Sequence, residues 1–378
     1  MNPDIGYIKR SLEPAIKKTL NSGKVIVLYG PRQVGKTTLL NNLFKTGKYL
    51  YLSCDEERIK NQLSPDKLIL QKTIGNYKNI ILDEAQHLDN AGLTLKILID
   101  NFPDRNFIAS GSSSFELANK LNEPLTGRHF KFLLYPLSIS EITSVVDAIN
   151  LDFQIDEAMI YGTYPDIYKF TTHEDKVQRL TTLVDSYLYR DILNFNLVKD
   201  SKKVRELLSA IAFQISSEVS YSELATTVGV DRKTVEYYLD LLEKSFVVFR
   251  LYGFSRNLRS EISRKVKIYF YDLGVRNALI NNFNVLTLRN DRGGMFENFV
   301  VSEMIKKTGN DPQKTNYYFW RTYEGKEIDL VTEKNGKITA IEVKLGKPKK
   351  TNSLKLFKTL YPGSETKFIT RDNLLTTS

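Results

Sequence analysis

Cysteine is nearly absent from this chain: its 378 residues hold one, Cys54. That excludes an intramolecular disulfide and any cysteine-based zinc site. Histidine is scarce too, and His87, His129 and His173 are too scattered to form a metal cluster. No apolar run reaches the length of a membrane span. The first ten residues carry no apolar core of the kind a secretory leader needs. A cytoplasmic protein with no membrane partner is expected. Internal repeats and low-complexity segments are missing as well. What is present is ordinary for a globular protein, 42% hydrophobic and 26% charged. The length is that of two or three domains. The net charge of +10 leans toward an anionic partner such as nucleic acid.

The strongest signal is Gly30-Pro31-Arg32-Gln33-Val34-Gly35-Lys36-Thr37, followed by Thr38. It fits G-x-x-x-x-G-K-[ST] at every fixed position. The apolar, β-branched run from Val25 to Tyr29 precedes it and reads as a buried strand. Thr37 to Phe44 reads as a helix with an apolar face. Strand, glycine loop and helix is the order that phosphate binding requires: backbone N–H groups and the positive helix end meet the phosphates. Lys36 then faces the β- and γ-phosphates, and the Thr37 hydroxyl is a Mg²⁺ ligand. The expected cofactors are ATP and Mg²⁺.

Asn79 to Glu84 is an apolar strand ending in two acids. Asp83 fits the Mg²⁺-holding Walker B role, and Glu84 that of the general base for the attacking water. A third strand, from Asn106, runs into small hydroxyl residues. Ser110 and Ser112 are sensor candidates there, with a helix-capping polar turn as the equal alternative. Arg128 is the candidate arginine finger, in cis or from a neighbouring copy, so a homo-oligomer stays open; a solvated surface arginine is the other reading.

Farther on, Val204 to Leu251 reads as helix, short helix, glycine turn, longer helix capped by Asp231, then strand. That is a winged-helix pattern. Arg232, Lys233 and Tyr237 are expected to face outward from its second helix, toward the DNA major groove. Arg256 and Arg259 belong to a basic cluster that also holds Arg250, Arg264, Lys265 and Lys267. A second basic group runs from Lys344 to Lys358. Near the C-terminus, Glu327 to Thr332 and Ile338 to Lys344 read as two strands of a hairpin, with Glu333-Lys334-Asn335-Gly336-Lys337 as its turn. Strand periodicity puts Glu342 and Lys344 on one face. Asp329 joins them from the neighbouring strand, and Glu297 approaches from a helix. Two carboxylates holding Mg²⁺, with a lysine assisting water, is the arrangement for phosphodiester hydrolysis. A surface strand with a salt-bridging Glu and Lys is the plainer reading.

As a whole the chain resembles the prokaryotic AAA-type ATPases whose C-terminal half is a domain of unknown function with a restriction-endonuclease-like (PD-(D/E)xK) fold. The resembling residues are the phosphate loop, Leu82 to Gln86, Ser110 to Ser113, Gly127-Arg128, Tyr135 to Ser138, Gly162 to Pro165 and Tyr189 to Ile192. Tyr271 to Gly274, Phe296 to Asn298, Trp320-Arg321, Glu327 to Asp329 and Ile341 to Lys344 complete them. The resemblance implies an α/β multidomain chain: a P-loop NTPase core with a parallel sheet, a helical region, a winged helix and a C-terminal α/β nuclease-like domain. It also implies that another strand separates the Walker B strand from the phosphate-loop strand. The expected segments are an N-terminal helix over 1–22, running from Ile5 to Leu20, the ATPase core over 23–135 and a helical region over 136–199. A winged helix over 200–255, a connector over 256–290 and the nuclease-like domain over 291–378 follow. The expected function is ATP binding and hydrolysis coupled to nucleic-acid binding, duplex DNA first, with Mg²⁺-dependent cleavage as a further candidate activity. The alternative is an ATP-gated regulator or scaffold that binds DNA or protein and carries an inert nuclease-like domain.

Overall fold

The computed structural model describes residues 6–112, 125–145, 150–193, 200–256, 265–346 and 352–377, without side-chain detail for 186–193, 265, 376 and 377. Its strands are β1 Val25–Tyr29, β2 Tyr49–Ser53, β3 Asn79–Asp83, β4 Asn106–Gly111, β5 His129–Leu133, β6 Glu218–Ser220, β7 Val248–Gly253, β8 Lys265–Phe270, β9 Asn316–Arg321, β10 Glu327–Lys334, β11 Lys337–Val343 and β12 Glu365–Ile369. The described residues fall into two compact units. One comprises 5–137 with 244–246, and the other holds most of the rest.

In the first unit, β1 to β5 form one parallel sheet in the order β2-β3-β4-β1-β5. β4 therefore lies between the phosphate-loop strand β1 and the acid-bearing strand β3, as the resemblance implies. Every residue of β1 is buried, because crossover helices cover both faces of a parallel sheet. Helix α1 (Glu13–Thr19) and helix α2 (Lys36–Leu43) pack Leu12, Ile16, Leu39 and Leu40 against Ile26, Leu28, Ile81 and Ile108. The remaining helices of this unit are α3 (Glu57–Gln62), α4 (Lys67–Ile74) and α5 (Ala91–Asn101).

The lead-in helix is shorter than expected, starting at Glu13 instead of Ile5. Pro14 explains this. Proline has no N–H to bond back four residues, so it sits in a first turn and not in a helix interior. The freed segment has another use: Arg10 donates from its guanidinium to Val34 O (3.0 Å) and Tyr135 O (2.5 Å), tying down the phosphate loop.

In the second unit, β6 to β12 form one sheet in the order β12-β11-β10-β9-β7-β8-β6. Strands expected in the segments 200–255 and 291–378 are thus neighbours in a single sheet, joined where β7 pairs in parallel with β9 at Tyr252↔Tyr318. β10 and β11 form the expected hairpin. Its two turn residues, Asn335 and Gly336, have φ of 53° and 77°, the positive values a type I′ turn demands. The described α-helices of this unit are α6 (Ile139–Thr143), α7 (Leu151–Tyr161), α8 (His173–Leu193), α9 (Ser201–Phe213), α10 (Tyr221–Val228), α11 (Arg232–Lys244), α12 (Leu273–Leu279), α13 (Arg292–Thr308), α14 (Asn352–Leu360) and α15 (Leu374–Thr377).

Two of the resembling motifs meet here. Asp272 caps α12 by accepting from Val275 N, and also accepts from Thr163 N at 2.6 Å. Gly162 and Gly274 allow the approach. A Cβ on Gly162 would lie 2.0 Å from Asp272 Oδ1, and one on Gly274 would lie 2.1 Å from Tyr161 O. The motifs Gly162-Thr163-Tyr164-Pro165 and Tyr271-Asp272-Leu273-Gly274 thus share one structural joint.

Candidate active site

The parallel sheet aims the ends of β1, β3 and β4 at one place, because ligands bind beyond the carboxyl ends of such strands. β1 hands over to the loop at Gly30, whose φ of 155° and close approach to Leu134 O leave no room for a Cβ. Gln33 and Gly35 take positive φ, and α2 starts directly at Lys36. Lys36 is 5% exposed and donates from Nζ to Gly30 O (2.8 Å) and Pro31 O (3.0 Å). Its charge is therefore held over the loop that Pro31, Arg32, Gln33 and Val34 complete. Thr38 faces outward, one step beyond the loop.

Asp83 is the hub. Its Oδ2 accepts from Thr37 Oγ1 (2.7 Å) and Tyr51 OH (2.5 Å), and its Oδ1 accepts from Ser110 Oγ. Burial alone would raise its pKa, but these three hydroxyls and the nearby Lys36 charge hold it below the ordinary aspartate value. It stays ionised, as a cation ligand must. The hard oxygen pair Thr37 and Asp83 fits Mg²⁺.

Glu84 follows in the left-handed region, φ 51°, which a non-glycine residue enters only when its surroundings insist. Its carboxylate accepts from Gln86 Nε2 at 2.5 Å, and the same amide reaches Ser112 Oγ at 3.3 Å. The two sensor candidates therefore part company: Ser110 touches Asp83, and Ser112 is linked to Glu84 through Gln86. Arg128 is not drawn to the loop. It forms an ion pair with Asp100 on α5. Tyr51 and Gln86 had no assigned role in the sequence reading. Tyr51 lies on a strand with no motif, and Gln86 carried only its place in Leu82 to Gln86.

In the second unit the expected metal-binding group is only partly assembled. Asp329 stands one step beyond the paired residues Leu330↔Ile341, and so opposite Glu342. Its Oδ2 accepts from Val343 N at 2.8 Å. Lys344 approaches Glu342 at 3.7 Å. Glu297, however, is claimed by a residue counted earlier in a surface cluster. Lys267 is 1% exposed, and its Nζ lies 2.9 Å from Glu297 Oε1 and 2.5 Å from Glu327 Oε1. Tyr269 OH also donates to Glu297 Oε1, at 2.8 Å. Burial, then the charge of Asp329, pushes the Glu297 carboxyl up to about 7 despite Lys267. Among the described residues no three His, Cys, Asp or Glu side chains form a group able to hold a metal ion. Asp329 and Glu342 thus face each other on adjacent strands, while Glu297 is held by Lys267 and Tyr269.

The nucleic-acid candidates also separate. Arg232 and Lys233 are exposed at the start of α11, with Arg232 paired to Glu236 at 3.0 Å. Arg256 is exposed. Tyr237 is half-buried against Tyr238, not outward-facing as expected, because it lies on the flank of the α11 apolar stripe of Val235, Leu239 and Leu242. Arg250 is bound to Asp240 and Glu243. Arg259 and Arg264 lie outside the described residues. Lys355 and Lys358 are exposed on α14.

Comparison with known proteins agrees with the first unit. Residues 22–143 match the family described as "AAA domain". Residues 152–286 and 292–377 match two families described as domains of unknown function, DUF8612 and DUF4143. An uncharacterized protein of Mycobacterium tuberculosis is 27% identical over 340 residues, covering 89% of this chain and 74% of the relative. One from Methanocaldococcus jannaschii is 24% identical over 380 residues, covering 94% and 83%. A solved Walker-type ATPase of Pyrococcus abyssi superposes with a TM-score of 0.52 at 16% identity, covering 72% of this chain and 96% of that one. The five-stranded unit therefore matches an AAA domain in sequence and shares the fold of a Walker-type ATPase. Among the described residues no helix is long and apolar enough to cross a membrane.

Proposed function

We propose that the chain binds ATP with Mg²⁺, hydrolyses it, and uses its nucleotide state to set the affinity of the second unit for nucleic acid, duplex DNA first. One observation carries the first half: Thr37, Asp83, Ser110 and Lys36 converge at the ends of neighbouring parallel strands, with Glu84 next in the chain. Bound Mg²⁺ would supply neutralisation of the phosphate oxygens from Thr37 and Asp83. The loop amides and Lys36 hold the β- and γ-phosphates. Glu84 takes a proton from water as the water oxygen bonds to the γ-phosphorus. The bond to the β-phosphate oxygen breaks, and ADP leaves. Gln86 holds the Glu84 carboxylate toward that task, with Ser112 behind it.

The second half rests on charge and order. The succession α9, β6, α10, α11, β7, with β8 from the following segment pairing with β6 and β7, supports a winged-helix reading that reaches past residue 255. Arg232 and Lys233 within it, and Arg256 just beyond it, are exposed cations. The segments 136–199, 256–290 and 291–378 serve as helical region, connector and nuclease-like domain in this reading. Arg128 as a finger in trans, and with it a homo-oligomer, requires its pair with Asp100 to open. A second reading is favoured by Lys267: the nuclease-like domain is inert, and the chain is an ATP-gated scaffold. Phosphate release from ATP, with and without duplex DNA at two salt concentrations, tests the proposal. DNA binding should weaken as salt rises, because neutralised phosphates release counterions. It should also weaken when Arg232 and Lys233 are changed to glutamate. DNA affinity indifferent to nucleotide and salt would end the coupling reading.

A further inference from the structure

We infer that the seven-stranded sheet carries its own resident cation: the ammonium of Lys267, seated between Glu297 and Glu327, takes the place a divalent metal would need, so the native chain binds no metal there. This rests on the second reading above, the inert nuclease-like domain.

Each carboxylate near Lys267 has at least one oxygen engaged, and Glu342, the other carboxylate of the expected pair, has Lys344 at 3.7 Å. Glu297 Oε1 receives both Lys267 Nζ and Tyr269 OH. Glu327 offers Oε1 to Lys267, and its Oε2 lies 3.7 Å from Arg321. Asp329 Oδ2 is taken by the Val343 amide. The ammonium also lies 5.8 Å from the centre of the Phe319 ring, a further attraction for a cation. Burial would push the Lys267 pKa down, but Glu297 and Glu327 more than reverse it, so the lysine stays charged. A dication entering this cluster would meet a fixed positive charge. It would also need near-octahedral oxygen geometry at about 2.0–2.1 Å for Mg²⁺, where Glu297 Oε1, Glu327 Oε1 and Asp329 Oδ2 already have partners.

Lys267 and Lys344 therefore differ in kind. Lys344 is 42% exposed in its side chain and close to Glu342, as a lysine facing solvent would be. Lys267 is enclosed, on the strand β8 that also pairs with β6 and β7. It neutralises carboxylates contributed by α13 and β10, and so fastens a helix and two strands together. That is a structural duty, which a metal-dependent site would leave to the metal.

Calorimetric titration of Mn²⁺ into the full chain without nucleotide tests this. The wild type should show no binding that Glu297→Gln or Asp329→Asn removes. Lys267→Met, which keeps the side-chain bulk and removes the charge, should gain one site at least tenfold tighter than any in the wild type. Adding Glu297→Gln to that variant should abolish the gain. A wild-type Mn²⁺ site lost on Glu297→Gln or Asp329→Asn overturns the inference. So does a folded Lys267→Met that gains nothing. Should Lys267→Met fail to fold, the wild-type arm with Glu297→Gln and Asp329→Asn decides alone. Metal-dependent plasmid nicking lost on Lys344→Ala would sink the inert reading itself. A wild-type metal site without nicking would sink only the assignment of Lys267.

Discussion

Lys36 and Lys267 are both buried lysines beside acidic strand ends, and they have opposite consequences. Lys36 rests on two backbone carbonyls of its own loop. The acid nearby, Asp83, takes its hydrogen bonds from neutral hydroxyls. Neutral donors leave the carboxylate its charge, so the first site keeps a net attraction for a cation and, through Lys36 and the loop amides, for phosphates. Lys267 instead binds two carboxylates directly. The second site spends its charge internally. What separates a ligand site from a structural ion cluster is who neutralises whom, and residue types alone do not show it.

The comparison breaks first at Glu84. Glu84→Gln removes only the group that takes the water's proton, so turnover should fall by about 10²–10⁴-fold with ATP affinity retained. Phosphate release and nucleotide binding measured on the same sample separate the two. Equal loss of both would mean that Glu84 shapes the loop instead.

Lys267→Ala comes next. Leaving the enclosed Glu297 without its cation, beside a half-buried Glu327, should cost about 3 kcal/mol of stability, read from urea unfolding of the whole chain. Lys36→Ala in the same assay should cost about 1 kcal/mol, the scale of a lost hydrogen-bonding group. Similar costs for both lysines would erase the distinction drawn here.

Tyr51→Phe sharpens the picture of the first site. It removes one of three hydroxyl donors to Asp83, and should weaken Mg²⁺-dependent ATP binding by about tenfold or less. Without Mg²⁺ the variant and wild type should bind ATP alike.

The smallest effect concerns acid. Asp291 is a third buried ion cluster, paired with Arg276 at 2.6 Å and Arg289 at 2.7 Å. Burial would raise its pKa, but hydrogen bonds from Arg289 and Arg276 hold it down at about 2. A depressed folded pKa gives stability that is complete above the unfolded value near 4 and lost as pH falls toward 2. Acid unfolding of Asp291→Asn should lack that part of the slope. An identical slope would remove Asp291 from the account.

Much of this was readable beforehand, for a physical reason. The phosphate loop, Asp83 and Glu84 are contiguous in sequence, and the apolar runs of β1 and β3 mark strands covered on both faces. The turn at Asn335-Gly336 carries its own conformational signature. The residues that were missed depend on contacts made by folding. Tyr51 reaches Asp83 from the neighbouring strand, and Gln86 acts through a side-chain amide that no spacing marks. Lys267 misled because Lys265, Lys267 and Tyr269 alternate with Val266, Ile268 and Phe270. That period suggests a strand with one wet face. Here α13 brings Glu297 to the lysine face, so an alternating strand is buried on both sides. The late start of the N-terminal helix is legible in Pro14, which sits in a first turn.

The most direct test of the two-lysine account is the rise in melting temperature on adding ATP and Mg²⁺. Ligand that binds only the folded state must raise it. The account predicts a clear rise in the wild type and none in Lys36→Ala, with the nucleotide-free melting temperatures of the two nearly equal. A rise of wild-type size in Lys36→Ala would contradict it.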